Sequence, residues 1–146
     1  MDRRTRAREI AMQALYQLDV QGDDFLDRMN RFIADQDDID DMISKMAADW
    51  ARRTWENAAV CDGLIRTAAT KWDLSRLSTV DRSILRLGAF QLKFCPDIPG
   101  KVVINEAIEI AKKYSGVQSP RFINGVLDAI LKRIKSEKNI SETEDG

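Results

Sequence analysis

Apolar residues recur at helical spacing along nearly the whole chain. In residues 4–20, Ala7, Ile10, Ala11, Ala14, Leu15 and Leu18 follow an i, i+3, i+4, i+7 pattern, which predicts an amphipathic helix. Gly22 and two aspartates break it, and a short helix is predicted over Phe25 to Ala34. The acidic stretch DQDDIDD then reads as a helix start, because carboxylates favour the positive end of the helix dipole. Ile39, Met42, Ile43, Met46, Ala47, Trp50 and Ala51 continue at helical spacing. A further helix is predicted from about Glu56 to Trp72, with Ala59, Val60, Gly63, Leu64, Thr67 and Ala68 as its inner face.

The second half carries stronger punctuation. Ser78-Thr79-Val80-Asp81 resembles a capping box with Asp in place of Glu, ahead of a helix containing Val80, Ile84, Leu85, Leu87, Gly88, Leu92 and Phe94. CPDIPG holds two of the three prolines and predicts a loop. Lys101 to Tyr114 is again helical, and Gly116 ends it. Ser119 as N-cap and Pro120 as first helical residue open the last helix, which carries Phe122, Ile123, Val126, Leu127, Ile130, Leu131 and Ile134. No stretch alternates with period two, and no internal repeat is visible. The pattern predicts an all-α fold of about seven helices, in two packed helical halves meeting near Leu74–Ser78. Residues 1–136 are expected to form one domain, and residues 137–146 a polar, disordered tail.

Composition narrows the chemistry. The 146 residues contain only 7 Gly and 3 Pro, in keeping with long helices rather than a turn-rich β fold. Histidine is absent, which removes His-dependent triads, His metal sites and imidazole pH switches. Cys61 and Cys95 form no CxxC and are expected to be buried, reduced thiols of a cytoplasmic protein. The charged N-terminus shows no signal peptide, and no apolar run is long enough to span a bilayer. No P-loop, GxGxxG, GxSxG or metal-ligand cluster occurs, and the aspartates near Asp38 lack the glycine and spacing of a calcium loop. Neither an enzyme activity, a cofactor nor a metal is expected.

The net charge of −1 conceals a segregation. Arg3, Arg4, Arg6 and Arg8 make the first 18 residues locally basic, whereas residues 19–49 hold ten Asp against Arg28, Arg31 and Lys45. Such a basic tip suits a modest anionic contact; the alternative is that these charges only solvate helix faces. At 100° per residue, Tyr16 falls about 170° from the centre of the first helix's apolar face, with Met12 and Gln13 as outward neighbours. An outward aromatic ring near arginines suits single-stranded RNA, whose unpaired bases can stack on it. Packing of Tyr16 against a neighbouring helix is the other reading. The start of the last helix offers free N–H groups and Arg121 to an anion, or is an ordinary capped helix. Glu106 and Glu109 lie on one helix and read as a solvated face.

Four segments carry a family resemblance. RRTRAREIAMQALYQLDV (3–20) resembles the N-terminal helix of bacterial NusB transcription antitermination proteins. LSTVDRSILRLGAFQLKF (77–94), DIPGKVVINEAIEIAKKY (97–114) and SPRFINGVLDAI (119–130) resemble that family's later signature segments, in the same order. Residues 19–72 match only in helical character. The resemblance implies two helical sub-bundles and binding of boxA-type single-stranded RNA jointly with NusE, a small-subunit ribosomal protein. It implies assembly with other Nus factors on RNA polymerase, support of ribosomal RNA transcription, and no membrane.

By this resemblance the RNA-binding residues are Arg3, Arg4, Arg6, Arg8 and Tyr16, with Gln118, Ser119, Arg121 and Phe122 before and at the last helix. Asn105 and Glu106 are the candidate NusE contacts, with helix packing and capping as their other reading. Two departures stand out. Gln118 is neutral where many relatives are acidic, which lessens repulsion of phosphate, and Gly100 stands where Tyr is common. Two rival functions follow from the same fold. One is the helical module of ribosomal RNA cytosine methyltransferases, for which no α/β domain is expected in a chain ending at Gly146. The other is a protein-interaction or rRNA-processing accessory module, with a homodimer able to cover the RNA surface.

Overall fold

The computed structural model describes residues 2–145, with side chains through Ile140. Among these residues the regular structure is entirely helical: α1 (Arg3–Gln21), α2 (Leu26–Ala34), α3 (Asp41–Glu56), α4 (Ala58–Ala68), α5 (Thr79–Phe94), α6 (Gly100–Tyr114) and α7 (Ser119–Asp145). Short 3₁₀ turns at Gly22–Phe25 and Leu74–Arg76 join neighbouring helices. Three helices start on side-chain caps. Asp2 accepts from the Arg4 N–H, Asp40 from Ile43, and Ser78 from Asp81, the last as its capping box predicts. The segment from Glu137 to Asp145, where the sequence suggests a tail, continues α7 as helix.

The helices form two groups. α1 packs against α2 and α3, while α4 to α7 pack among themselves; α1 and α3 meet α5 at the seam. The chain therefore passes from one group to the other between α3 and α4, at Asn57, rather than near Leu74–Ser78. The reason is that α4 lies on α5 and α7. Its inner face is also rotated from the predicted one. Cys61 and Ile65 are buried, and Ala59, Val60, Gly63 and Thr67 face outward. Asp62 disguised the true stripe. It sits half-buried because Arg86 of α5 donates to both of its carboxylate oxygens, from Nε at 2.8 Å and from Nη2 at 3.0 Å.

α1 and α5 are central and covered on more than one side. Ile10, Leu15 and Leu18 join Phe90, Ile84 and Leu85 in a core completed by Ile123, Leu127 and Ile130 of α7. Gly88 allows α5 to approach α7 closely, since a Cβ there would stand 2.8 Å from Leu127 Cδ1. Gly100 plays the same part at the start of α6, where a Cβ would lie 2.7 Å from Leu131. Cys61 and Cys95 are both buried free thiols, and burial pushes the Cys61 thiol up to about 12. Among the described residues no helix is long and apolar enough to cross a membrane, and no group of three or more ligating side chains could hold a metal.

Candidate nucleic-acid interface

The four N-terminal arginines occupy four different environments. Arg4 is exposed, and its side chain makes no hydrogen bond or ion pair with the described residues. Arg3 is exposed and donates from Nε to Asp40 Oδ2 at 2.7 Å, which holds its pKa above the ordinary value, while the Ile43 N–H and then Arg3 hold the Asp40 carboxyl below its own. Arg6 is largely covered. One Nη pairs with Glu9 and the other donates to the Asp37 carbonyl at 2.7 Å. Arg8, expected at the RNA-facing tip, is only 3% exposed. Its guanidinium lies 5.0 Å from the Trp50 ring centroid and donates to Gln91 Oε1 at 3.2 Å and Glu106 Oε1 at 3.3 Å. Burial lowers its pKa against the pull of Glu106. Arg8 thus shapes the site from behind rather than meeting phosphate in this conformation.

A cavity of about 480 Å³ opens beside this helix start. Arg4, Arg8, Trp50, Arg53, Asp97 and Glu106 are among its lining residues. Arg53 and Trp50 come from α3, so neither was assignable from the local pattern of α1. Glu106 accepts from Thr5 Oγ1 at 2.6 Å as well as from Arg8, which turns it inward toward α1. Its neighbour Asn105 is exposed. Of the two candidate partner residues, only Asn105 therefore presents its side chain freely.

Tyr16 is 36% exposed, as its helical phase predicts. Its predicted outward neighbours differ. Met12 is buried, and Gln13 is half-buried with Nε2 donating to Tyr114 Oη at 3.1 Å. For Gln13 the cause is α6, which lies along α1 in parallel, pairing Thr5 with Glu106, Glu9 with Lys113, and Gln13 with Tyr114. Burial raises the Glu9 carboxyl, but the Lys113 and Arg6 cations beside it win and hold it below its ordinary value.

At the far end of α6 the chain turns through Gly116–Gln118 into α7. Ser119 is buried, and its hydroxyl donates to Asp81 Oδ2 at 2.9 Å. Ser115 Oγ lies 2.6 Å from the other carboxylate oxygen and 2.9 Å from Ser119 Oγ. Ser119 is thus a tie between α5 and α7, neither a helix cap through its hydroxyl nor an exposed RNA ligand. Gln118 and Arg121 are exposed, and Arg121 makes no hydrogen bond or ion pair with the described residues. Phe122 is half-buried, with its ring centroid 5.0 Å from that of Trp72.

Trp72 is 60% exposed. With Lys71, Gln118, Arg121 and Phe122 it lines an open groove of about 610 Å³ between the end of α4 and the start of α7. Lys71 and Trp72 escaped the sequence reading because they were placed at the end of a helix. The signal available was a basic-aromatic dipeptide ahead of a Ser/Asp-rich connection. The two candidate regions do not merge. Arg4 and Tyr16 are about 18 Å apart along α1, and α6 separates the cavity at Glu106 from the groove beyond Ser115.

Comparison with known proteins meets this geometry at residues 5–132, which match the model of the NusB family. The chain belongs to the NusB family. The transcription antitermination protein NusB of Anaeromyxobacter dehalogenans strain 2CP-1 is 43% identical over 128 residues, covering 88% of this chain and 89% of that protein. A crystal form of NusB from T. maritima superposes with a TM-score of 0.80 at 38% identity, covering 90% of this chain and 92% of the other. A complex of antitermination factors NusB and NusE with double-stranded RNA contains a similar chain. It has a TM-score of 0.81 and 26% identity, covering 91% of this chain and 98% of the other. The two solved NusB chains share the fold described above.

Proposed function

We propose that this chain is a cytoplasmic antitermination factor that binds boxA-type single-stranded RNA jointly with NusE, joins other Nus factors on RNA polymerase and supports ribosomal RNA transcription. The observation that carries this reading is the groove at the start of α7. There an exposed indole is braced by a second ring, in a groove also lined by two exposed cations, Lys71 and Arg121. Stacking surfaces flanked by cations bind single strands, whose bases are free to stack. Tyr16 and Arg4 extend the same chemistry along α1. The solved complex of a similar chain with NusE and RNA supports the choice of partners. Asn105 on α6 is the proposed NusE contact.

The test is fluorescence anisotropy on labelled boxA and scrambled strands, with and without NusE. NusE is expected to tighten binding selectively for boxA. Arg4, Lys71 and Arg121 are the exposed cations of the cavity and the groove that have no partner among the described residues, so three phosphate contacts are expected. The slope of log K against log salt is then about −2.1, and binding weakens about twentyfold between roughly 50 and 200 mM salt. A slope near zero, or no binding to either strand with NusE present, refutes the reading. In the same assay Tyr16→Ala is expected to cost about 1 kcal/mol, at the low end for a stacked base because most of the ring is already covered.

A further inference from the structure

The arginine-bearing tip of α1 does not stand free. The α2–α3 connection and its flanks hold Asp35, Asp37, Asp38, Asp40 and Asp41, and two of these residues grip the tip. Asp40 accepts from Arg3 Nε at 2.7 Å, and the Asp37 carbonyl accepts from Arg6 Nη2 at 2.7 Å. Asp40 is itself anchored, because its other carboxylate oxygen caps α3 by accepting from the Ile43 N–H at 2.9 Å. Asp38 between them adopts a left-handed φ of 54°, a conformation that Asp tolerates better than most residues. An anchored carboxylate seated on Arg3 takes up a donor that a phosphate oxygen would use.

We propose that the acidic α2–α3 connection is an intramolecular phosphate mimic, which competes with RNA for Arg3 through Asp40 and lowers the sequence-independent part of RNA affinity. This rests on the RNA-binding reading above. Its physical logic is an exchange. A phosphate reaching Arg3 must first displace Asp40, so the electrostatic gain is offset by the ion pair lost. Nearby carboxylates also repel the incoming strand within a Debye length. Phosphate contacts hold a strand without reading it, so the offset applies to every RNA sequence alike. Recognition is thereby shifted toward groups that meet bases, such as Trp72 and Tyr16.

Asp40→Asn isolates the effect, since Asn caps a helix as well as Asp does while lacking the charge. Anisotropy is measured with NusE present on boxA and scrambled strands, for the wild type, Asp40→Asn, Arg3→Ala and the double variant. Asp40→Asn is expected to tighten both strands about two- to fivefold at low salt, in the range of an exposed ion pair. The salt slope should steepen from about −2.1 toward −2.8, one further phosphate contact. In the Arg3→Ala background most of the gain should vanish, leaving only the share due to relieved repulsion. Three results overturn the proposal while leaving the RNA reading in place: no gain in Asp40→Asn although the wild type binds, a gain confined to boxA, or a full gain that persists without Arg3. Absence of RNA binding in every variant and in the wild type overturns both. Thermal unfolding of Asp40→Asn provides the folding control, with a wild-type midpoint expected.

Discussion

Replacing Asp19 with Ala is expected to lower the folding stability by about 2–4 kcal/mol, read as a fall in the urea midpoint with an unchanged slope. Asp19 near the end of α1 binds two arginines of α5. One carboxylate oxygen accepts from Nε and Nη2 of Arg82, and the other accepts from Nη1 of Arg86 at 3.0 Å. Arg86 also meets Asp62 of α4, and Arg82 Nη1 donates to the carbonyls of Leu74 and Leu77. One carboxylate thus ties α1 to the second helical group, within a cluster that also holds α4 and the 3₁₀ turn. Burial lowers the Arg86 pKa, but Asp62 and Asp19 more than offset it and leave it raised.

The magnitude follows from what remains after the mutation. Arg86 keeps Asp62, whereas Arg82 keeps only two carbonyls and becomes a mostly buried charge without a counter-ion. Breaking a fully buried pair costs about 3–5 kcal/mol; the side chains here are 13–17% exposed, so solvent softens the loss. Asp19→Asn retains an acceptor and should fall between wild type and Ala. A loss below about 1 kcal/mol in Asp19→Ala would show that water satisfies the cluster as well as Asp19 does.

The largest effect on RNA binding is expected from Trp72→Ala, about 1–3 kcal/mol, or roughly five- to 150-fold in Kd. The indole projects from the connection after α4, and its contact with Phe122 fixes the ring while leaving a face open. A pre-positioned ring loses little conformational freedom when a base stacks on it, which makes the contact efficient. Its removal should leave stability nearly unchanged, because the side chain is mostly in solvent. Trp72→Phe should recover most of the affinity, and the loss in Trp72→Ala should be largest with NusE present. Equal affinities for wild type and Trp72→Ala would move the interface away from the groove and onto α1 alone.

The helices were readable because each carries local information. Ser78 caps α5 through the predicted hydroxyl bond, Gly22 breaks the chain after α1 with a φ of 78°, and Ser119-Pro120 marks the beginning of α7. Tyr16 was readable too, since a helical phase angle alone places it opposite Ile10 and Ala14. Arg8 and Glu9 were not. Their charge reads as exposed, yet α3 and α6 cover them by supplying Trp50, Glu106 and Lys113, each distant in sequence. Ser119 failed in the same manner, its hydroxyl drawn to Asp81 across 38 positions. The inner face of α4 was misplaced because a paired aspartate interrupts the apolar stripe.

Periodicity, caps and breakers, all effects within a few residues, thus specify the seven helices, while the family resemblance rests on four particular segments of sequence. Which charges remain free for a ligand depends on the company those helices keep. Packing α6 along α1 neutralises Glu9 and withdraws Arg8. Seating the acidic connection on Arg3 and Arg6 leaves Arg4 as the free cation of the tip. Closing α4 against α7 creates the Trp72 groove from residues about 50 positions apart. Burial and ion pairing are properties of neighbours brought together by the fold, and long-range neighbours leave no periodic trace in the chain.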